Sequence, residues 1–118
     1  MAKTVMWQVT HIKLPCGVTK YVLPGGEVKY LKNDVMHRED GPAHITPSGK
    51  QKWYYMGKIH RLDGPAFIAA NGDYCYFVDG KEVTNEFIEW IKENNITYPF
   101  SKEAEVLITL RWFGHLFG

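Results

Sequence analysis

A seven-residue phrase that occurs twice restricts this chain more than any other feature. His-Arg-x-Asp-Gly-Pro-Ala covers residues 37–43 and, 23 residues later, residues 60–66. The same interval separates aromatic residues at positions 30, 53 and 76 and glycines at positions 26, 49 and 72. A period of this length is typical of proteins in which one supersecondary unit stacks on copies of itself. The repeat is predicted to run from about residue 20 to residue 83, and Trp7 indicates a degenerate first unit nearer the N-terminus.

Each unit is predicted to consist of short strands joined by tight turns. Asn71-Gly72 and Asp79-Gly80 are dipeptides that accept the positive φ of type I′ hairpin turns, and Ser48-Gly49 and Gly25-Gly26 take the place of the first pair in earlier units. Flanking segments such as residues 73–78 are rich in β-branched and aromatic residues. Short hairpins cannot bury their apolar faces alone, so we expect an elongated antiparallel sheet of stacked hairpins, mainly β with a helical C-terminal part.

The recurring phrase is interpreted as a set of structural turns. Its aspartates are predicted to accept hydrogen bonds from backbone N–H groups just ahead, its glycines to fit a tight backbone, and its prolines to fix φ. Its histidines are predicted to hold the same turn by bonding a backbone carbonyl. The competing interpretation is a His–Asp acid–base pair, which we disfavour because a catalytic site needs one copy and a fold needs the device in every unit. The predicted turn residues are His37, Asp40, Gly41, Pro42, His60, Asp63, Gly64 and Pro65.

The chain changes character after Val83, where residues 84–118 are predicted to form a helical cap on the repeat array of residues 1–83 within one domain. Thr84 is the predicted N-cap of a first helix, and Ser101 the predicted N-cap of a second. A strand from Val106 onward is the alternative for the second segment, because its apolar pattern fits both. The segment from Val106 to Phe117 is predicted to pack in the core or to mediate self-association.

Composition, motifs and cysteine usage disfavour several classes of function. Fourteen basic residues oppose thirteen acidic ones, so the excess of positive charge that nucleic acids and anionic membranes attract is absent. Cys16 and Cys75 form no CxxC pair and are predicted to be reduced thiols of a cytoplasmic protein. The histidines fit no compact zinc motif, and the sequence has no nucleophile elbow, phosphate loop or dinucleotide fingerprint. We therefore expect no enzyme activity, cofactor or metal.

The stretch from about residue 24 to residue 83 resembles MORN-type hairpin repeats. Gly57-x-x-His60 matches the Gly-x-x-His step of that motif with an aromatic before it, and "WYYMGKIHRLDGPA" is similar to a divergent form found in many phage and giant-virus proteins of unknown function. Ordinary MORN arrays are interaction scaffolds, some of them linked to membrane lipids, and divergent bacterial relatives are described as antitoxin-like. The resemblance implies a stacked-hairpin fold and, for a phage-encoded protein, residence in the host cytoplasm.

The aromatic columns lead to the functional hypothesis. Side chains alternate across a strand, so one face is expected to form the core and the other to present aromatic residues to a partner. We expect a non-catalytic protein–protein interaction module, a small phage-type protein that binds or inhibits a host protein. The alternatives are nucleic-acid binding through the column that contains Lys29 and Lys52, and an antitoxin-like role. The predicted partner-binding residues are Tyr30, Trp53, Tyr54, Tyr55 and Tyr76.

Overall fold

Twelve short strands precede two helices in a computed structural model that describes residues 9–113. The degenerate first unit predicted around Trp7 lies in part outside the described residues. The strands are β1 Thr10–Lys13, β2 Thr19–Val22, β3 Val28–Lys32, β4 Val35–Met36, β5 His44–Ile45, β6 Gln51–Lys52, β7 Tyr54–Tyr55, β8 Lys58–Ile59, β9 Phe67–Ile68, β10 Tyr74–Cys75, β11 Phe77–Val78 and β12 Lys81–Glu82. The helices are α1 Thr84–Glu93 and α2 Lys102–Trp112.

The main sheet has the strand order β1-β2-β3-β5-β6-β9-β10, and β4 pairs with the C-terminal end of β3. Every pairing is antiparallel, and β7–β8 and β11–β12 form separate two-stranded hairpins. The array is elongated, with principal extents of 60 × 32 × 22 Å. The predicted fold class, a mainly β array of stacked hairpins with C-terminal helices, is confirmed.

One backbone hydrogen bond closes each unit in the same way. The N–H of His37 donates to the carbonyl of Tyr30, and 23 residues later the N–H of His60 donates to the carbonyl of Trp53, both at 2.9 Å. The third copy runs from the Val83 N–H to the Tyr76 carbonyl, also at 2.9 Å. Val83 thus takes the histidine position of the last unit, and α1 begins directly after it.

Two kinds of turn alternate along the array. Asn33-Asp34, Met56-Gly57 and Asp79-Gly80 have positive φ at both residues, as a type I′ turn requires, which confirms the prediction for Asp79-Gly80. At Asn71-Gly72 the type I′ prediction is wrong, because glycine alone has positive φ there and the N–H of Gly72 closes the turn onto the carbonyl of Ala69. The Asn71 side chain instead accepts a hydrogen bond from the N–H of Asp73 at 3.0 Å.

The apolar core is divided between the array and the cap. A small cluster of Val18, Tyr30 and Ala43 lies within the array. A larger cluster joins the last hairpin to both helices and contains Tyr76, Val83, Phe87, Ile96, Ala104, Ile108 and Phe113. The cap therefore packs on the last hairpin, and the cluster within the array is formed by other residues.

The helix caps differ in part from the predictions. Ser101 caps α2 as predicted, since its Oγ accepts from the N–H of Ala104 at 3.1 Å, and the strand alternative from Val106 is wrong. Thr84 is not an N-cap. Its Oγ1 accepts from the N–H of Tyr76 at 3.0 Å and donates to Glu82, because the helix starts so close to β11 that the hydroxyl meets the sheet backbone. No helix within residues 9–113 has the length and apolarity needed to cross a bilayer.

Candidate functional site

The two phrase histidines join each unit to the next one. Nδ1 of His37, whose side chain is 2% exposed, accepts from the N–H of Met56, and Nδ1 of His60 accepts from the N–H of Asp79, both at 2.9 Å. The N–H of Gly57 donates to the carbonyl of Met36 at 2.8 Å, so both N–H groups of this turn find acceptors in the preceding unit. The prediction that each histidine bonds a carbonyl of its own turn is wrong, because two-residue turns leave unpaired N–H donors that need an acceptor.

An arginine that the sequence interpretation omitted organises each phrase. The Arg38 guanidinium carbon lies 4.1 Å from the centre of the Tyr30 ring. Its Nε donates to Oδ1 of Asp40 at 2.9 Å, and Nη1 donates to the carbonyl of Pro42 at 3.1 Å. The guanidinium therefore has an aromatic face below it, a carboxylate beside it and a carbonyl at its tip.

The second phrase repeats this arrangement. Arg61 lies 4.1 Å from the Trp53 ring centre and donates to Asp63 at 2.8 Å and to the carbonyl of Pro65 at 3.0 Å. The predicted aspartate bonds to backbone N–H groups are thus replaced by bonds from the arginine two residues earlier. A Cβ on Gly64 would lie 2.7 Å from the Arg61 guanidinium carbon. A larger residue at position 64 would displace the guanidinium from these contacts, so glycine allows the arginine to lie across the turn. The recurrence of both arginines at the 23-residue interval was the available signal.

A pH titration tests the contact between Arg38 and Asp40. The hydrogen bond and the charge of Arg38 lower the pKa of the Asp40 carboxyl below its ordinary value of 3.8. The contact therefore contributes stability at pH values above that ordinary value, and the contribution disappears as the pH falls through the lower, folded-state pKa. We expect an NMR titration of the Asp40 carboxyl carbon to have a midpoint below 3.8, and the Arg38→Met variant to return it to the ordinary range. An unchanged midpoint in that variant would contradict the assignment.

A groove of about 800 Å³ is lined by both copies of the phrase, by Trp53 and Tyr55, and by Glu105 of α2. The Tyr55 side chain lies between the histidines of consecutive units, with its ring centre 4.7 Å from that of His37 and 6.2 Å from that of His60. Tyr55 is nevertheless 49% exposed. The groove thus combines an accessible aromatic ring with the loops of two neighbouring units.

The predicted ladder of exposed aromatic residues does not form. Tyr30 and Tyr76 are each 6% exposed, which corrects their assignment as partner-binding residues. Arg38 covers Tyr30, and the Phe87 ring lies 4.4 Å from that of Tyr76, whose pKa burial raises to about 12. Tyr54 is half-buried against the array cluster. Of the predicted set, Trp53 and Tyr55 reach the groove.

Two groove residues come from the one position at which the phrases differ. Glu39 holds the variable position of the first phrase and Leu62 that of the second, and both line the groove. Tyr55 also varies between units, since Lys32 and Val78 stand at the corresponding positions. The sequence interpretation overlooked both phrase positions, although their variation within an otherwise invariant phrase was visible.

The charges of the groove are unbalanced. Its lining contains four carboxylates and two guanidinium groups, and Arg38 and Arg61 are occupied by Asp40 and Asp63. Glu39 and Glu105 form no ion pair with a lysine or arginine of residues 9–113, although Oε2 of Glu39 lies 3.4 Å from Nε2 of His37. The groove consequently carries excess negative charge beside its aromatic rings.

The predicted lysine column exists on the main sheet. Lys29 of β3 and Lys52 of β6 each pair with His44 of β5, so the three side chains share one face in consecutive strands. His44 is hydrogen-bonded to Glu27, whose pKa this bond lowers. Lys52 lies over the Phe67 ring, with Nζ 6.0 Å from its centre. The row thus mixes basic and aromatic groups, and it includes a carboxylate.

The second helix divides its apolar residues between the core and the surface. Ala104, Ile108 and Phe113 are buried, whereas Val106, Leu107 and Leu110 are 59%, 50% and 72% exposed. The segment therefore has buried residues for core packing and exposed apolar residues for self-association. Core packing of the segment is confirmed as far as residue 113, and self-association through its exposed residues stays a prediction.

The described part of the chain, residues 9–113, holds no group of three histidine, cysteine or acidic side chains arranged to bind a metal ion. Comparisons with protein-family models, with curated proteins and with solved structures find no match to this chain.

Proposed function

We propose that this chain is a non-catalytic protein-interaction module and that the groove between the two phrases binds the partner. The observation that carries the proposal is that the recurring and the variable positions of the phrase have different contacts. Residues that recur are occupied by contacts that build each unit, while the variable position supplies the groove with Glu39 and Leu62. The recurring positions therefore maintain the repeat fold, and the variable positions determine the chemistry of the exposed surface.

The chemistry of the groove supports a protein partner. Tyrosine and tryptophan dominate the binding energy of protein interfaces because they bury a large area with few rotatable bonds. Tyr55 offers such a side chain and packs against the His37 ring, and Trp53 also lines the groove. A volume of about 800 Å³ accommodates a few residues of a partner chain.

The resemblance to MORN-type repeats agrees with a scaffold role and implies no catalytic site. On that basis we propose a small phage-type protein that binds or inhibits a host protein in the host cytoplasm. Each phrase aspartate engages an arginine, so these carboxylates serve the fold.

The alternative function is nucleic-acid binding, which the row of Lys29, His44 and Lys52 favours. Lysines beside aromatic side chains combine phosphate contacts with base stacking. The row contains few basic groups and also Glu27, which reduces its attraction for phosphates. Nucleic-acid binding is therefore the second candidate.

The Tyr55→Ala variant tests the groove. We expect an affinity pull-down from bacterial lysate to capture one dominant protein that survives nuclease, and Tyr55→Ala to weaken its affinity by at least about 30-fold, as for an interface hot spot. Tyr74→Ala is the matched control, because Tyr74 is also 49% exposed but lies on the sheet away from the groove lining. Equal capture by wild type and Tyr55→Ala would refute the groove, and capture that disappears with nuclease would favour the lysine row.

A further inference from the structure

We infer that the partner segment presents an arginine or lysine to the groove and carries an aliphatic residue about three positions away. This inference rests on the proposed function, since it specifies what the same groove binds. It follows from the charge of the groove, from a recognition pattern that the protein uses twice internally, and from the difference between the two phrases.

The net charge of the groove favours a basic side chain. Arg38 and Arg61 form ion pairs with Asp40 and Asp63. The remaining glutamates, Glu39 and Glu105, therefore give the groove a negative net charge. Glu39 is well exposed, with 68% of its side chain accessible. A cationic side chain that enters between the phrases gains attraction from both glutamates, and an acidic one is repelled.

The fold itself shows how a guanidinium group is bound in these surroundings. Arg38 stacks on Tyr30 beside Asp40, and Arg61 stacks on Trp53 beside Asp63, with the same 4.1 Å separation from the ring centre. Tyr55 is 49% exposed, so part of its ring is accessible for a third such arrangement. Glu39 and Glu105 line the same groove and offer the carboxylates. A partner's basic side chain would therefore reproduce from outside the contact that each unit already makes within itself.

The variable position sets the spacing between two residues of the segment. Each unit contributes two strands to the main sheet, so equivalent positions in consecutive units lie two strand spacings apart. Glu39 and Leu62 are therefore related by a shift of about 10 Å. Three residues of extended chain span about the same distance. Leu62 is 37% exposed and provides an apolar contact at its end. The expected segment therefore carries its basic residue near Glu39 and an aliphatic residue about three positions away.

The test is selection of a displayed random dodecapeptide library on the immobilised 118-residue protein, followed by affinity measurement with one synthetic peptide from the enriched clones. We expect the clones to share an arginine or lysine and an aliphatic residue about three positions away. The Glu39→Gln/Glu105→Gln variant should bind the peptide on the order of tenfold more weakly. Glu89→Gln/Glu93→Gln, which removes the same charge from the exposed face of α1, should bind it like wild type. Thermal unfolding of each variant checks that it is folded.

A charge exchange makes the test independent of any loss of stability. The peptide in which glutamate replaces the basic residue should bind wild type poorly and should recover binding to Glu39→Lys/Glu105→Lys. Clones without a basic residue that still depend on Tyr55 would overturn this inference and leave the proposed groove intact. An absence of enriched clones, or clones insensitive to Tyr55→Ala, would overturn both.

Discussion

Replacing Phe87 by alanine is expected to lower the free energy of unfolding by about 3–5 kcal/mol, the range for deleting a buried phenyl ring. Phe87 is 3% exposed and is the one fully buried residue of α1. Its ring centre lies 4.4 Å from that of Tyr76 and 5.5 Å from that of Trp112, and the ring also contacts those of Trp90 and Phe100. One side chain thus joins the last hairpin to both helices.

Urea denaturation followed by far-UV circular dichroism measures this effect. Tyr98→Ala is the control, because Tyr98 is aromatic, belongs to the same cap and is 50% exposed. We expect the control to change the unfolding free energy by less than about 1 kcal/mol. A Phe87→Ala variant that unfolds at the wild-type urea concentration would show that the helices do not depend on this ring for their attachment.

Replacing His37 by alanine is expected to cost about 2–4 kcal/mol. The substitution empties a buried space and leaves the N–H of Met56 without its acceptor, so a cavity and an unpaired donor contribute together. Met56 is a non-glycine residue with φ of 50°, a conformation that its surroundings must maintain. The loss should therefore loosen the Met56-Gly57 turn specifically.

Native-state hydrogen exchange separates this local effect from general destabilisation. We expect the Met56 amide to lose protection in His37→Ala by more than the Asp79 amide, which keeps its bond to His60. His11→Ala is the control, since His11 is exposed on β1. Equal loss of protection at both turns would mean that the histidine stabilises the array as a whole and does not hold one turn.

The fold was largely predictable from the sequence because its strongest determinants are local. Asp79-Gly80 specifies its hairpin by conformational preference, and Ser101 caps its helix with a bond to a nearby N–H. Because the sequence repeats every 23 residues, a local structure predicted in one unit is also predicted at the equivalent position of the next unit. Thr84 shows the limit of this reasoning, because its hydroxyl could cap a helix or bond the sheet, and the position of β11 decided between them.

The site was less predictable because it depends on contacts between distant residues. Alternation along a strand predicts opposite faces for Tyr30 and Tyr54, but it does not show that the strand breaks at Trp53, after which Tyr54 packs against the cluster that contains Tyr30. It also does not say which aromatic side chains other groups cover. The burial of Tyr30 under Arg38 and that of Tyr76 against Phe87 settled this. Glu105 reaches the groove only because α2 packs back towards the second phrase, a placement that no local pattern encodes.

The dependence of the groove on two consecutive phrases has a consequence for valency. In the described part of the chain two complete phrases enclose it, and Val83 and α1 replace the phrase in the following unit. A chain with one more unit before the cap would have a second groove, about 10 Å from the first, which the variable position could adapt to a different residue of the same partner. Grooves at that spacing on one rigid array would bind one continuous segment at high effective concentration. The point at which the helix replaces the phrase therefore sets how many contacts a single partner can make.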